Sequence, residues 1–322
     1  MTRLTLRTYD LPETFGVVAT DIRADTDDGF RRLVARFVSL YAQALLNPHW
    51  GELVEVRPGR RLRIRMNFQG LNRDEAAAVW RPFLNWVSSD PDLKMTPPTI
   101  VAGPGRLRWD GAALDAVAPG TVLRDDRPGA PANNVFWSAN LAEAGHVIHG
   151  FDSLWLPAAL LDPPRQPELV DALVAASRLW TVELHFQKGL AGAPPDVIAA
   201  SADTPLHPAA SRAFALAIIA GEGPPAFPDL PGRMPDVVKA RRDADRIARA
   251  KAELAPVAPE GGAYLAEGNY HEAEWQRSFW GAKYERLREV KRRYDPADLF
   301  FVRHGVGSEG WSEDGFTPIG AP

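Results

Sequence analysis

Apolar positions in this chain follow two repeats, one near two residues and one between three and four. Residues 15–22 read Phe-Gly-Val-Val-Ala-Thr-Asp-Ile, a strand. Phe30, Leu33, Val34, Phe37, Val38, Tyr41 and Leu45 then recur at the spacing of one helix face. Thr26 or Asp27 can cap that helix, and Pro48 ends it. Residues 53–56 and 61–68 flank Arg57-Pro58-Gly59-Arg60 and predict a hairpin. Its second arm sends Leu62, Ile64, Met66 and Phe68 to one face and arginines to the other. A second helix is predicted over 73–87, after an acidic start.

The rhythm then weakens. Residues 91–132 are rich in Pro, Gly and Asp and predict a long irregular loop with a short strand near Ile100. A helix over 167–179 leads into a strand over 180–187, and a shorter helix follows near 195–200. An apolar run at 214–220 precedes a Pro/Gly-rich linker, 221–235, and a charged, Ala-rich helix, 237–254, expected on the surface. The tail beyond Glu309 predicts little regular structure. Strand, helix, hairpin and helix in this order imply an α+β fold: a large antiparallel β-sheet with helices packed on one face. The opening residues, 1–8, alternate polar and apolar and read as a further strand, not as a signal peptide.

Composition narrows the function. A net charge of −4, with basic residues scattered, argues against a nucleic-acid surface. There is no cysteine, so neither disulfides nor thiolate chemistry enter. No apolar run approaches the roughly 20 residues of a membrane span.

The C-terminal third carries the specific signal. Tyr264 to Tyr270 reads Tyr-Leu-Ala-Glu-Gly-Asn-Tyr, and an aromatic helix is predicted over 275–294. Along it stand Trp275, Phe279-Trp280-Gly281-Ala282-Lys283-Tyr284, Arg286-Leu287 and Lys291, then Tyr294-Asp295-Pro296 and Leu299-Phe300. This spaced string resembles the C-terminal end of berberine-bridge-type flavin oxidoreductases of the vanillyl-alcohol-oxidase-like superfamily. Ser153-Leu154-Trp155-Leu156-Pro157 resembles a stretch of the same subgroup. Ala266 and Asn269 stand where relatives carry Asn and often Asp, and His271 replaces a common aromatic.

The resemblance implies FAD as cofactor, held mainly by an N-terminal domain that this sequence does not include. It implies three parts: 1–14, a strand closing that flavin domain; 15–255, a substrate-binding domain; and 256–322, a berberine-bridge-like segment that docks on the missing domain. The N-terminal FAD-binding domain, or a separate flavin-binding chain, is then the expected partner, together with a small-molecule substrate. Met1 is expected to be an internal codon of a longer reading frame. The implied activity is oxidation of alcohols, carbohydrates or alkaloid-like compounds. The alternative is a non-catalytic fragment or subunit that needs its flavin chain.

Tyr264, Asn269 and Tyr270 are the expected cofactor contacts. Tyr264 can also serve as a base if its pKa is lowered, or be a buried aromatic with a hydrogen-bonded hydroxyl. Glu183 and His185 alternate on one strand face, with Val182, Leu184 and Phe186 on the other. They suit a pocket where histidine exchanges a proton and glutamate orients it, or a solvent-facing strand surface. His146 and His149 would share a helix face, but no third metal ligand is apparent, and no metal is expected. The stripe Trp275, Phe279, Trp280, Tyr284 and Leu287 reads as core, docking the terminal helix.

Overall fold

The computed structural model describes residues 3–6, 8–131, 134–227 and 229–319. In chain order the elements are β1 (Thr14–Ala24), α1 (Asp27–Leu40), β2 (Trp50–Arg57), β3 (Arg61–Gln69), α2 (Arg73–Ser89), β4 (Leu93–Met95) and β5 (Thr99–Pro104). Then follow α3 (Gly111–Val117), β6 (Val122–Arg124), β7 (Val135–Trp137), β8 (Val147–Pro157), α4 (Gln166–Leu179) and β9 (Val182–His185). The chain continues with α5 (Pro195–Ser201), β10 (Ala213–Gly223), α6 (Val237–Leu254) and α7 (Tyr284–Tyr294).

One antiparallel sheet organises the molecule, in the order β4–β1–β3–β2–β9–β10–β8, with β5 also on the outer edge of β1. Helices α1, α2, α4 and α6 cover one face. Ile22, Val54, Leu62, Ile64, Met66, Leu156, Leu184 and Ile219 meet Phe37, Trp80, Phe83, Leu173 and Ile247 there in a single buried cluster. This is the expected fold class. The α1 stripe is buried as its spacing requires, and Thr26 caps it by accepting from the Gly29 N–H at 3.0 Å.

Helix α2 starts with a reciprocal capping box: Asn72 accepts from the Asp74 and Glu75 N–H groups, and Glu75 accepts from the Asn72 N–H. Asn72→Ala should lower stability by about 1 kcal/mol, read as a shifted urea midpoint at constant slope.

Several sequence expectations are corrected. Among the described residues before Thr14 there is no strand; Leu4, Leu6 and Tyr9 are exposed there, and positions 1, 2 and 7 of the expected strand lie outside the described residues. The 91–132 stretch holds the expected short strand near Ile100 as β5, and also β4, α3 and β6 where loop was expected. The strand over 180–187 shrinks to four residues. Trp180 leaves the ladder and donates its indole N–H to the Ala220 carbonyl at 2.7 Å.

Helix α6 is only half a surface helix, because Asp243, Ile247, Ala250 and Leu254 are buried on the sheet. The 275–294 helix breaks at Gly281, whose φ of 56° favours glycine. A Cβ there would sit 2.7 Å from His207 Nε2. Trp275, Phe279 and Tyr284 form their own small buried cluster around the break.

Candidate functional site

Side chains alternate across a strand, so the face opposite the helices can be listed from the register. Two adjacent rows cross its centre. One runs Trp155–Leu216–His185–Leu53–Arg65. The other runs Ser153–Ile218–Glu183–Glu55–Arg63–Asp21. Glu183 and His185 therefore stand together on this open face, with His185 Nε2 3.3 Å from Glu183 Oε2. Glu55 lies directly opposite Glu183, and like charges in that position repel. Arg57 at 3.3 Å and Arg63 at 3.7 Å compensate Glu55, and Arg63 shares Asp21 with Arg61.

The tyrosine segment roofs the β10–β8 end of this face. Strand β10 is apolar on both faces here, and Trp155 of β8 joins it beneath the segment and residues 206–213. The Tyr264 N–H donates to Ser153 Oγ at 3.0 Å, and its ring packs 6.0 Å from that of Trp155. Tyr264 joins a cluster with Leu216 and Ile218, the cross-strand neighbours of His185 and Glu183. Lys188 Nζ lies 5.6 Å over the Tyr264 ring and is ion-paired with Glu267. Tyr264, Glu183 and His185 are thus placed on one face.

Asn269 and Tyr270 go elsewhere. Asn269 Nδ2 reaches Asp152 Oδ2 at 3.5 Å. Tyr270 is exposed and lies under the Arg303 guanidinium, 4.7 Å from the ring centre. Asp152 belongs to a clasp that the sequence did not reveal. Lys251 on α6 donates to Asp152 Oδ1 at 2.8 Å and to Glu272 Oε2 at 3.1 Å. Ser278 Oγ sits 3.3 Å from the same Glu272 oxygen. Burial pulls the Lys251 amine down, but Asp152 and Glu272 more than reverse this, so its pKa is raised. Burial pushes Glu272 up, and Lys251 outweighs it, leaving that carboxyl below its usual range. For Asp152 burial wins and the pKa is raised. The clasp ties the tyrosine segment to β8 and α6 together.

His146 and His149 do not share a helix face; they flank the start of β8. His149 Nδ1 is 2.9 Å from Asp243 Oδ2, and His146 Nδ1 is 2.7 Å from Glu222 Oε2. Among the described residues no group of three or more His, Cys, Asp or Glu is arranged to hold a metal. Also among them, no helix is long and apolar enough to cross a membrane.

Lys188 and the Lys251 clasp were missed by sequence reasoning. Lys188 lies in the short 3₁₀ turn that follows β9, where strand alternation no longer predicts which face a side chain takes. The clasp carried no signal, since its members lie 99 and 21 residues apart.

Comparison with known proteins agrees with this architecture. The family described as "Berberine and berberine like" matches residues 263–307. The FAD-linked oxidoreductase notD of Aspergillus sp. (strain MF297-2) is 60% identical over 52 residues, 16% of this chain and 8% of that protein. The VAO-type flavoprotein oxidase VAO615 of Thermothelomyces thermophilus is 50% identical over 56 residues, 17% of this chain and 10% of that protein. Among solved structures, the VAO-type flavoprotein MtVAO615 from Myceliophthora thermophila C1 superposes on 93% of this chain with a TM-score of 0.63 and 20% identity. The glucooligosaccharide oxidase of Acremonium strictum superposes on 93% with a TM-score of 0.60 and 16% identity. The chain spans 48% of the first and 56% of the second, about half their length. Residues 263–307 thus match a berberine-like family model, and the sheet with its one-sided helices has the fold of the matching half of these VAO-type flavoproteins.

Proposed function

We propose that this chain is the substrate-binding part of an FAD-dependent oxidoreductase acting on alcohols, carbohydrates or alkaloid-like compounds, and that its open sheet face closes over the flavin. The single observation that carries this reading is the chemistry left unfinished on that face. His185 Nδ1 and Arg57 Nη1 on that face, and Trp155 Nε1 beneath its tyrosine roof, are buried without a hydrogen-bond partner among the described residues. Buried polar groups are ordinarily paired, and each orphan costs about 1–3 kcal/mol. Two of the three are obligate donors, so the residues fit a flat ring edged with carbonyl and nitrogen acceptors.

Bound flavin would supply the redox chemistry, taking up a hydride from a substrate carbon. The chain's residues would orient the substrate and manage its proton. Glu183 accepts from His185 Nε2–H, which fixes the tautomer and leaves Nδ1 as a proton acceptor for a substrate hydroxyl or amine. Tyr264, held by Ser153 and Lys188, would wall the reacting carbon and contact the flavin. Asn269 would steady the segment through Asp152, with Tyr270 at its outer end.

Tyr294, Leu299, Phe300, Val302 and Phe316 are all exposed on or beyond α7. Exposed apolar residues this numerous in one part of the chain suit a docking surface, and we assign them to the flavin-binding domain or chain. The same residues serve the alternative reading, a non-catalytic piece that waits for its flavin chain.

The test is spectroscopic. Produced as part of the full-length protein or together with its flavin-binding chain, the protein should be yellow and be bleached anaerobically by a primary alcohol or sugar in a broad panel. His185→Ala should slow bleaching about 10²–10⁴-fold while the flavin band stays. A colourless complex, or bleaching that ignores His185, sinks the assignment.

A further inference from the structure

The open face does not end at His185. One step along the strands stands the row Gly51–Asn67–Val17, and beyond it a cleft of about 400 Å³ opens between Phe15, Asn67, Gln187 and the loop that begins at Gly189. Two guanidinium groups flank this end of the face, and neither has a carboxylate partner among the described residues. Arg108 lines the cleft, stacked 4.7 Å over the Phe15 ring and 5.8 Å from that of Trp137. Arg65 stands two residues from Asn67 on the same face of β3 and is exposed. Its neighbours Arg61 and Arg63 are both neutralised by Asp21.

The cleft's own carboxylate is already engaged. Glu52 accepts from Gln187 Nε2 at 3.1 Å, and its backbone is held at a φ of 65°, a sparsely populated region for a side-chain-bearing residue. That amide is neutral, so Glu52 keeps its charge, but among the described residues it forms no ion pair with Arg65 or Arg108.

We infer that the substrate carries a carboxylate, read by Arg65 and Arg108, at the end of the molecule away from the oxidised carbon. This rests on the reading of His185 as the proton acceptor. His185 and Arg65 are separated by one strand, so their Cα atoms lie about 10 Å apart. That gap suits one aromatic ring between hydroxyl and carboxylate. Leu53, directly between them on the sheet, gives that ring an apolar floor. Guanidinium is the natural receptor here because its planar fork matches a carboxylate with two parallel hydrogen bonds.

The experiment is calorimetric and uses the 322-residue chain without flavin. The probes are 4-(hydroxymethyl)benzoate and its uncharged amide. The carboxylate should bind at least tenfold more tightly at low ionic strength. Arg65→Gln and Arg108→Gln should each cut that preference several-fold, while Arg81→Gln on the far side of α2 leaves it intact. Equal binding of the two probes, no binding of either, or a preference that survives both substitutions overturns the inference. Inorganic phosphate is the second arm: if it competes more strongly than benzoate, the arginines read a phosphate and the carboxylate assignment falls. Because no flavin is present, these outcomes stand apart from the bleaching test. A carboxylate preference without bleaching would condemn the redox reading and leave the recognition intact.

Discussion

Replacing Lys251 with Met should destabilise the protein by about 3–5 kcal/mol, because it strands Asp152 and Glu272 as buried carboxylates with no cation. Most of that loss is the penalty of the orphaned charges, and only a smaller part is the net worth of the ion pairs. The triple variant Lys251→Met, Asp152→Asn, Glu272→Gln should therefore recover most of it, since a neutral cluster of similar shape leaves no charge unpaired. Urea unfolding of the three proteins checks the order. Recovery no better than the single variant would mean that the charges themselves, and not their imbalance, hold the segment.

The sign with pH follows from the same groups. Lys251 has a folded pKa above its unfolded value, so its contribution is whole below about pH 10.4 and fades as pH rises through the folded pKa. Wild type should lose stability on this alkaline limb, and Lys251→Met should not. On the acid side Glu272 and Asp152 are shifted in opposite directions and partly cancel. The clasp also predicts where the single variant loosens first. Amide exchange should rise between Tyr264 and Ser278, the stretch that Asp152 and Lys251 hold.

Local patterns were legible in the sequence, and long-range pairings were not. The α1 stripe and the β2–β3 hairpin are each written in about a dozen residues and were recovered with their buried sides, whereas the Asn72 capping box of α2 was not foreseen. Alternation placed Glu183 and His185 on the same side of β9, although it could not say whether that side faced a pocket or water. The register with β2 and β10 adds what alternation could not, setting Leu53 and Leu216 beside them from far along the chain. Three-residue strands such as β4 and β6 offer too few positions for alternation to register, so 91–132 read as a loop. The break at Gly281 escaped for a related reason. An aromatic stripe keeps its spacing across a kink, and only the closeness of His207 shows why the backbone must turn there. The Tyr264 segment was found by resemblance, which gave its location but not its anchors on Ser153 and Lys188.

The core provides the second large effect, and it turns on one orphaned atom. Trp80 is fully buried under the sheet, edge-on to Trp50 at 6.1 Å and to Phe83 at 6.0 Å. Trp80→Ala should cost about 3–5 kcal/mol, the usual loss when a large aromatic leaves a cavity that its neighbours cannot fill. Trp80→Phe is the informative partner. Its smaller ring also leaves space, but it removes the Trp80 Nε1–H, which has no acceptor among the described residues. A buried donor of that kind is worth about 1–3 kcal/mol against folding, enough to offset much of the lost packing. Trp80→Phe should therefore fall within about 1 kcal/mol of wild type, far from the alanine variant. A phenylalanine variant as unstable as the alanine one would show that the indole N–H is satisfied, by a buried water, and that the packing of the whole ring is what this position requires.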